Sequence, residues 1–179
     1  MQIKGRVFVS AIEYVGKKYG CEKLKSFFVK YPEFEEIRNF SDLNWYDLHL
    51  YIKFSESVDK FFGFGDASLL LEIGEYCAKT AFESSHRLFK DLSMQCAMSN
   101  AQSVFLSYYS AGVAEIHYLR DNKINFAIKN LPTSPYLGKT IHGWMKQAVK
   151  SIKTSETNVQ EVDAKTCLCY SIEWANLAG

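Results

Sequence analysis

The chain has 179 residues, enough for one domain with a single substantial core, and its 21 basic and 20 acidic residues nearly cancel. That balance gives no electrostatic footprint for a nucleic acid or an anionic membrane, and nowhere do about 18 apolar residues run together to span a bilayer. The 13 Phe and 11 Tyr are many for this length; such a stock can wrap a flat or oily ligand, or simply fill space between helices and sheet. Five cysteines, an odd number without framework spacing, do not suggest a disulfide scaffold. No apolar run follows Met1 to Arg6 that would serve as a signal peptide, so a cytoplasmic protein is expected.

From Lys4 to Tyr19 the apolar residues Val7, Phe8, Ala11, Ile12, Tyr14 and Val15 fall at helical spacing, with Lys17 and Lys18 in the last turn and Gly20 as the stop. A second helix, about Cys21 to Tyr31, completes a helical hairpin before Pro32. The stretch from Glu33 to Asn44 is polar and irregular, and any polar residue of Ser41-Asp42-Leu43-Asn44 can cap a helix running from Trp45 to about Phe62. Gly63-Phe64-Gly65-Asp66 then makes a sharp turn whose aspartate can bond the free amides of the next helix. A glycine pair beside a helix start also suits a phosphate, but no strand precedes it, no Lys-Ser/Thr follows, and an acid stands where the anion would sit.

The next helix, Asp66 to about Ser85, carries Leu69, Leu70, Ile73, Cys77 and Phe82 along a stripe, and Gly74 with Ala78 would let another helix approach closely. His86 to Phe89 continues as a short helix or turn. Leu92 to Asn100 is loop-like, and Asn100 can cap a last helix from Ala101 to Tyr109 that Gly112 ends. Beyond it the period changes to two: Val113 to Arg120 and Ile124 to Leu131 form a hairpin about Asp121-Asn122-Lys123. After Pro132 and Pro135 a helix from about Tyr136 to Lys153 presents Ile141, Trp144, Met145, Ala148, Val149 and Ile152 to the sheet. A second hairpin, Thr157 to Val162 and Thr166 to Trp174, closes the chain. The result is one α+β domain over 1–179, a helical layer (about 1–111) packed on a four-stranded antiparallel ββαββ sheet (about 112–176).

Several short motifs in this order carry a resemblance: Ile3-Lys4-Gly5-Arg6-Val7-Phe8, Trp45-Tyr46, Gly63-Phe64-Gly65-Asp66, Glu72-Ile73-Gly74, Tyr108-Tyr109-Ser110-Ala111-Gly112, Gly143-Trp144 and the strand Cys167 to Trp174. The chain resembles the superfamily of haem nitric-oxide-binding domains, 4-vinyl-reductase-type domains and TRAPP vesicle-tethering subunits, and within it an uncharacterised haem-nitric-oxide-binding-like bacterial family known from myxobacteria. The haem-binding members hold the propionates with Tyr-x-Ser-x-Arg. Tyr108 and Ser110 match that motif, but Gly112 stands where the arginine would grip a carboxylate. The family's axial ligand is a histidine upstream of the motif, a place only His86 approaches here. The cysteines of the vinyl-reductase-type domains invite comparison with Cys167-Leu168-Cys169, yet two residues on one strand face do not make a tetrahedral zinc site.

No nucleophile elbow, Ser-His-acid spacing or paired carboxylate motif suggests catalysis, and His117 and His142 are single histidines. The leading expectation is therefore a non-enzymatic sensory or regulatory domain that binds a small hydrophobic molecule between helices and sheet, without haem, metal or other cofactor. Phe105, Tyr108, Tyr109, Phe126 and Trp144 are the expected lining, with Tyr108 and Ser110 as polar contacts. Two alternatives stand beside it. One is a ligand-free interaction module that forms a homodimer or meets a signalling partner, as the TRAPP resemblance implies; the other is a haem-based gas sensor with His86 on the iron.

Overall fold

In the computed structural model, residues 1–152, 157–162 and 167–175 are described. The chain opens with a short strand, β1 (Gln2–Lys4), then α1 (Gly5–Tyr19) and α2 (Cys21–Lys30), separated by Gly20 at φ 90°. The segment expected to be irregular is in part a 3-10 helix, Pro32–Asn39, because Phe34 and Ile37 have a core to enter. The helix expected from Trp45 begins three residues later. Trp45–Asp47 forms β2, whose backbone pairs with β1 through Ile3 and Tyr46, and α3 (Leu48–Phe62) starts only where that pairing stops. Its cap is Asp47, which accepts a hydrogen bond from the His49 amide at 3.0 Å.

The Gly63 to Asp66 turn behaves as a turn and not as an anion cradle. Gly65 takes φ 78°, Asp66 accepts from the Ser68 amide at 2.9 Å, and the Ala67 amide is taken by the buried Asp59 carboxylate at 2.8 Å. Helix α4 (Ser68–Glu83) follows. Much of the aromatic surplus fills this layer: Phe27 packs against Phe28, Phe34, Phe54, Phe61 and Phe62, and Phe8 lies edge-on to Tyr51.

Past a 3-10 turn at Arg87–Asp91, the stretch expected to be a loop contains α5 (Met94–Ser99). Ser93 starts it by accepting from the Cys96 amide at 3.2 Å, and Met94 and Met98, four apart, supply the buried edge. Helix α6 (Ala101–Leu106) has no side-chain cap from Asn100, whose amide group donates to the Cys96 carbonyl instead. It also ends earlier than its apolar pattern suggests. The backbone of Tyr108 to Ser110 leaves the helix to join β1: the Lys4 amide donates to the Tyr108 carbonyl at 2.9 Å and the Ser110 amide to the Gln2 carbonyl at 3.0 Å. Gly112, at φ 107°, lies beyond the helix end and turns the chain into the sheet.

The sheet comprises β3 (Val113–Arg120), β4 (Lys123–Lys129), β5 (Thr157–Val162) and β6 (Leu168–Trp174), with α7 (Pro135–Ser151) between the hairpins; its order is β3-β4-β6-β5, all antiparallel. Ile124, Phe126 and Ile128 pair with Ile172, Tyr170 and Leu168 on one face. Cys167 and Cys169 on the other face are joined to each other as a local disulfide, while Cys21, Cys77 and Cys96 are free, so the cysteines are not all unpaired and still build no scaffold. The expected helix end at Lys153, strand start at Thr166 and sheet end at 176 lie outside the described residues.

Gly74 does admit a close helix, and that helix is α7. A Cβ on Gly74 would sit 2.1 Å from the Thr140 carbonyl oxygen, and one on Gly143 would sit 1.9 Å from that of Leu71. Gly16 is a contrast: a Cβ there meets only the Leu24 side chain, at 3.4 Å. Gly16→Ala is therefore expected to stabilise the protein by about 0.5–1 kcal/mol through helix propensity, seen as a raised urea midpoint. A lowered midpoint would refute it.

Candidate functional site

Where α4, α6 and α7 meet the inner face of the sheet, the side chains leave a cavity of about 110 Å³. Helix α7 contributes Ile141, Trp144, Met145, Ala148 and Val149; α4 contributes Cys77 and Phe82; the sheet contributes Phe126, Ile128 and Ile172. The rest of the wall is Val7, His86, Phe89, the α5–α6 residues Ala97, Met98, Ala101, Val104 and Phe105, and the junction residues Tyr108 and Tyr109, with Thr140 and Ile152. The mutual glycine contact of α4 and α7 sets this geometry, since Trp144 directly follows Gly143 and its backbone amide lies against Gly74.

Of the residues singled out in the sequence, Phe105, Tyr108, Tyr109, Phe126 and Trp144 all lie in this wall, and so does His86. Phe105 and Tyr109 stack with ring centroids 4.8 Å apart, and Tyr108 meets Trp144 edge-on at 5.6 Å. Ser110 stands outside the wall. Its hydroxyl oxygen accepts a hydrogen bond from the Gln2 amide at 2.8 Å, which fastens the junction to the N-terminal strand. Most of the wall, Val7, Cys77 and Phe82 among it, lies beyond the expected lining. Met98 belongs to α5, where a loop is expected, although the Met94–Met98 spacing and Ser93 signal a helix.

Polar groups in the wall are few. The His86 Nε2 and the Tyr108 hydroxyl are 3.2 Å apart. Burial raises the Tyr108 pKa well above the ordinary phenol value, and it lifts the Cys77 thiol to about 11, so neither is ionised near neutrality. Burial, followed by the nearby Arg6 charge, lowers the His86 pKa. The Thr140 hydroxyl is held by the Tyr136 carbonyl at 2.9 Å and lies 3.3 Å from the Tyr51 hydroxyl. Among the described residues no group of three or more His, Cys, Asp or Glu side chains could hold a metal ion, and no helix is long and apolar enough to cross a membrane.

The lowered His86 pKa has a pH consequence. Unfolded histidine takes up its proton near pH 6.5, folded His86 only at lower pH, so between those values the unfolded state binds more protons and stability declines as pH falls. Above about pH 6.5 the contribution is intact. His86→Gln is expected to flatten the decline below about pH 6.5 in urea midpoints; an unchanged slope would contradict this role of the imidazole.

No family profile matches the chain, and no curated protein does. Solved structures do. The Fe(II) unliganded H-NOX protein from K. algicida aligns with a TM-score of 0.71 at 15% identity, over 99% of both chains. A doubly substituted Tt H-NOX aligns at 0.75 and 18% identity, over 97% of this chain and 96% of that one. A Cs H-NOX carrying 4-cyano-L-phenylalanine aligns at 0.76 and 17% identity, over 97% of each. Across their full length, then, these helices and this ββαββ sheet form an α+β domain with the H-NOX, or haem nitric-oxide-binding, type of fold.

Proposed function

We propose that this chain is a non-enzymatic sensory or regulatory domain that holds a small hydrophobic ligand in the cavity between its helical layer and its sheet, without haem. The observation that carries this reading is the cavity itself, an apolar space walled by the aromatic residues of the helix-to-sheet junction. Its size suits a ligand on the scale of benzene, which enters an engineered apolar cavity of about 150 Å³. A porphyrin needs far more than the 110 Å³ available here.

The residues present are also a poor fit to haem propionates and iron. Gly112 has no side chain to grip a carboxylate, the Ser110 hydroxyl is committed to the Gln2 amide, and His86 Nε2 faces the Tyr108 hydroxyl. The imidazole of His86 faces the Tyr108 phenol, which burial, like that of the Cys77 thiol, holds in its protonated form, and this favours binding over catalysis. Haem-based sensing is the second reading. It is favoured by His86 in the wall and by similar folds whose names speak of Fe(II) and heme.

Methyl-resolved NMR with benzene as the probe tests the leading reading. Shifts confined to cavity methyls such as those of Met98, Met145 and Ile172 are expected. An unperturbed spectrum at saturating benzene would sink it.

A further inference from the structure

The cavity is not uniformly apolar: His86, Tyr108 and Trp144 lie against one another in its wall. Trp144 Nε1 is buried without a well-formed hydrogen bond; its indole lies against His86 and Tyr108, and the Tyr108 hydroxyl, which Arg6 also approaches, is its weak neighbour. A buried donor left unpaired carries a cost that a ligand acceptor would remove. On the neighbouring α1, Arg6 donates from Nη1 to the Ser85 hydroxyl at 2.8 Å, and its charge acts on Cys77, His86 and Tyr108, three members of the wall. None of the ion pairs among the described residues includes Arg6. A guanidinium without a carboxylate and a weakly held indole N–H thus meet at the Tyr108 hydroxyl, at one end of an otherwise oily space.

We propose that the ligand is a compact monocyclic carboxylate, benzoate in size, with its ring among Phe105, Phe126 and Met145 and its carboxylate toward Trp144 Nε1, the Tyr108 hydroxyl and Arg6. This rests on the cavity being the ligand site. The ring supplies burial, and a charge-assisted hydrogen bond from the guanidinium offsets the desolvation of the anion, which an apolar wall alone would reject. A free inorganic anion gains nothing from the apolar part of the wall, and a neutral hydrocarbon brings no negative charge to the guanidinium and no acceptor to the indole N–H.

Isothermal titration calorimetry of the full chain at neutral pH, with benzoate and toluene as probes, separates the possibilities. Benzoate is expected to bind wild type at least about tenfold more tightly than toluene, the usual scale of a hydrogen bond to a charged group. Arg6→Gln should erase that margin while leaving toluene affinity unchanged, Arg6→Lys should keep part of it, and Trp144→Phe should reduce it several-fold. Far-UV circular dichroism confirms that each variant is folded, and the wild-type comparison stands without them. Toluene binding as tightly as benzoate, or benzoate indifferent to Arg6→Gln, would overturn the carboxylate assignment and leave the cavity reading in place. Failure of both probes to bind wild type would overturn both.

Discussion

Gly143→Ala is expected to lower stability by about 2 kcal/mol or more, although the substitution lies inside a helix where alanine is the better residue. Helix propensity alone would give a gain of about 1 kcal/mol. Against it, the new Cβ would lie 1.9 Å from the Leu71 carbonyl oxygen and 2.8 Å from its carbon, so the obstacle is backbone rather than a side chain that can rotate away. Relief requires α7 to move off α4, and overpacking of this kind costs about 1–3 kcal/mol, occasionally more. Gly74 faces the Thr140 carbonyl and the Trp144 amide in the same contact, so the two helices cannot separate at one point alone. Urea denaturation checks the sign directly: Gly143→Ala should fall below wild type while Gly16→Ala rises above it. A Gly143→Ala midpoint at or above wild type would show that the helices have room.

Ala148→Leu is expected to weaken toluene binding more than tenfold while raising the stability of the free protein by about 0.5–1 kcal/mol, the usual yield of filling a void. Ala148 lies one turn beyond Trp144 on α7, is 7% exposed and borders the cavity. Three added carbons would take up most of a space of about 110 Å³, so ligand and side chain compete for the same volume. The opposite signs of the two effects separate cavity filling from general damage, which would lower both quantities. Calorimetry and urea midpoints on the same variant measure them. Unchanged toluene affinity would place the ligand elsewhere, and a loss of stability would mean that the void is not there to fill.

The architecture was legible in the sequence because periodicity is local. The 3.6-residue stripes of α1 and α4 and the alternation Leu168, Tyr170, Ile172, Trp174 need no distant partner to be recognised. The same holds for Gly74, whose cost to a helix interior signalled a close neighbour. Apart from α5 and the 3-10 helix Pro32–Asn39, what escaped was set by pairing across the chain. Gln2–Lys4 and Trp45–Asp47 become strands only by finding each other, and Tyr108 to Ser110 leaves α6 because β1 offers amides and carbonyls to it. The candidate site divides in the same way. Phe105, Tyr108 and Tyr109 lie next to each other at the junction and could be grouped from the sequence, whereas Arg6, near the other end of the chain, meets Ser85 and the Tyr108 hydroxyl only through the fold. Ser110 shows the limit of motif matching: its residue type suits a polar ligand contact, but the Gln2 amide occupies it.

Absorption titration of the purified protein with haemin distinguishes a haem-free cavity for a small ligand from a haem site. The expected result is protein that is colourless as isolated and develops no saturable Soret band with stoichiometric haemin. A stoichiometric Soret band that is lost in His86→Ala would contradict the account and make the cavity a haem site.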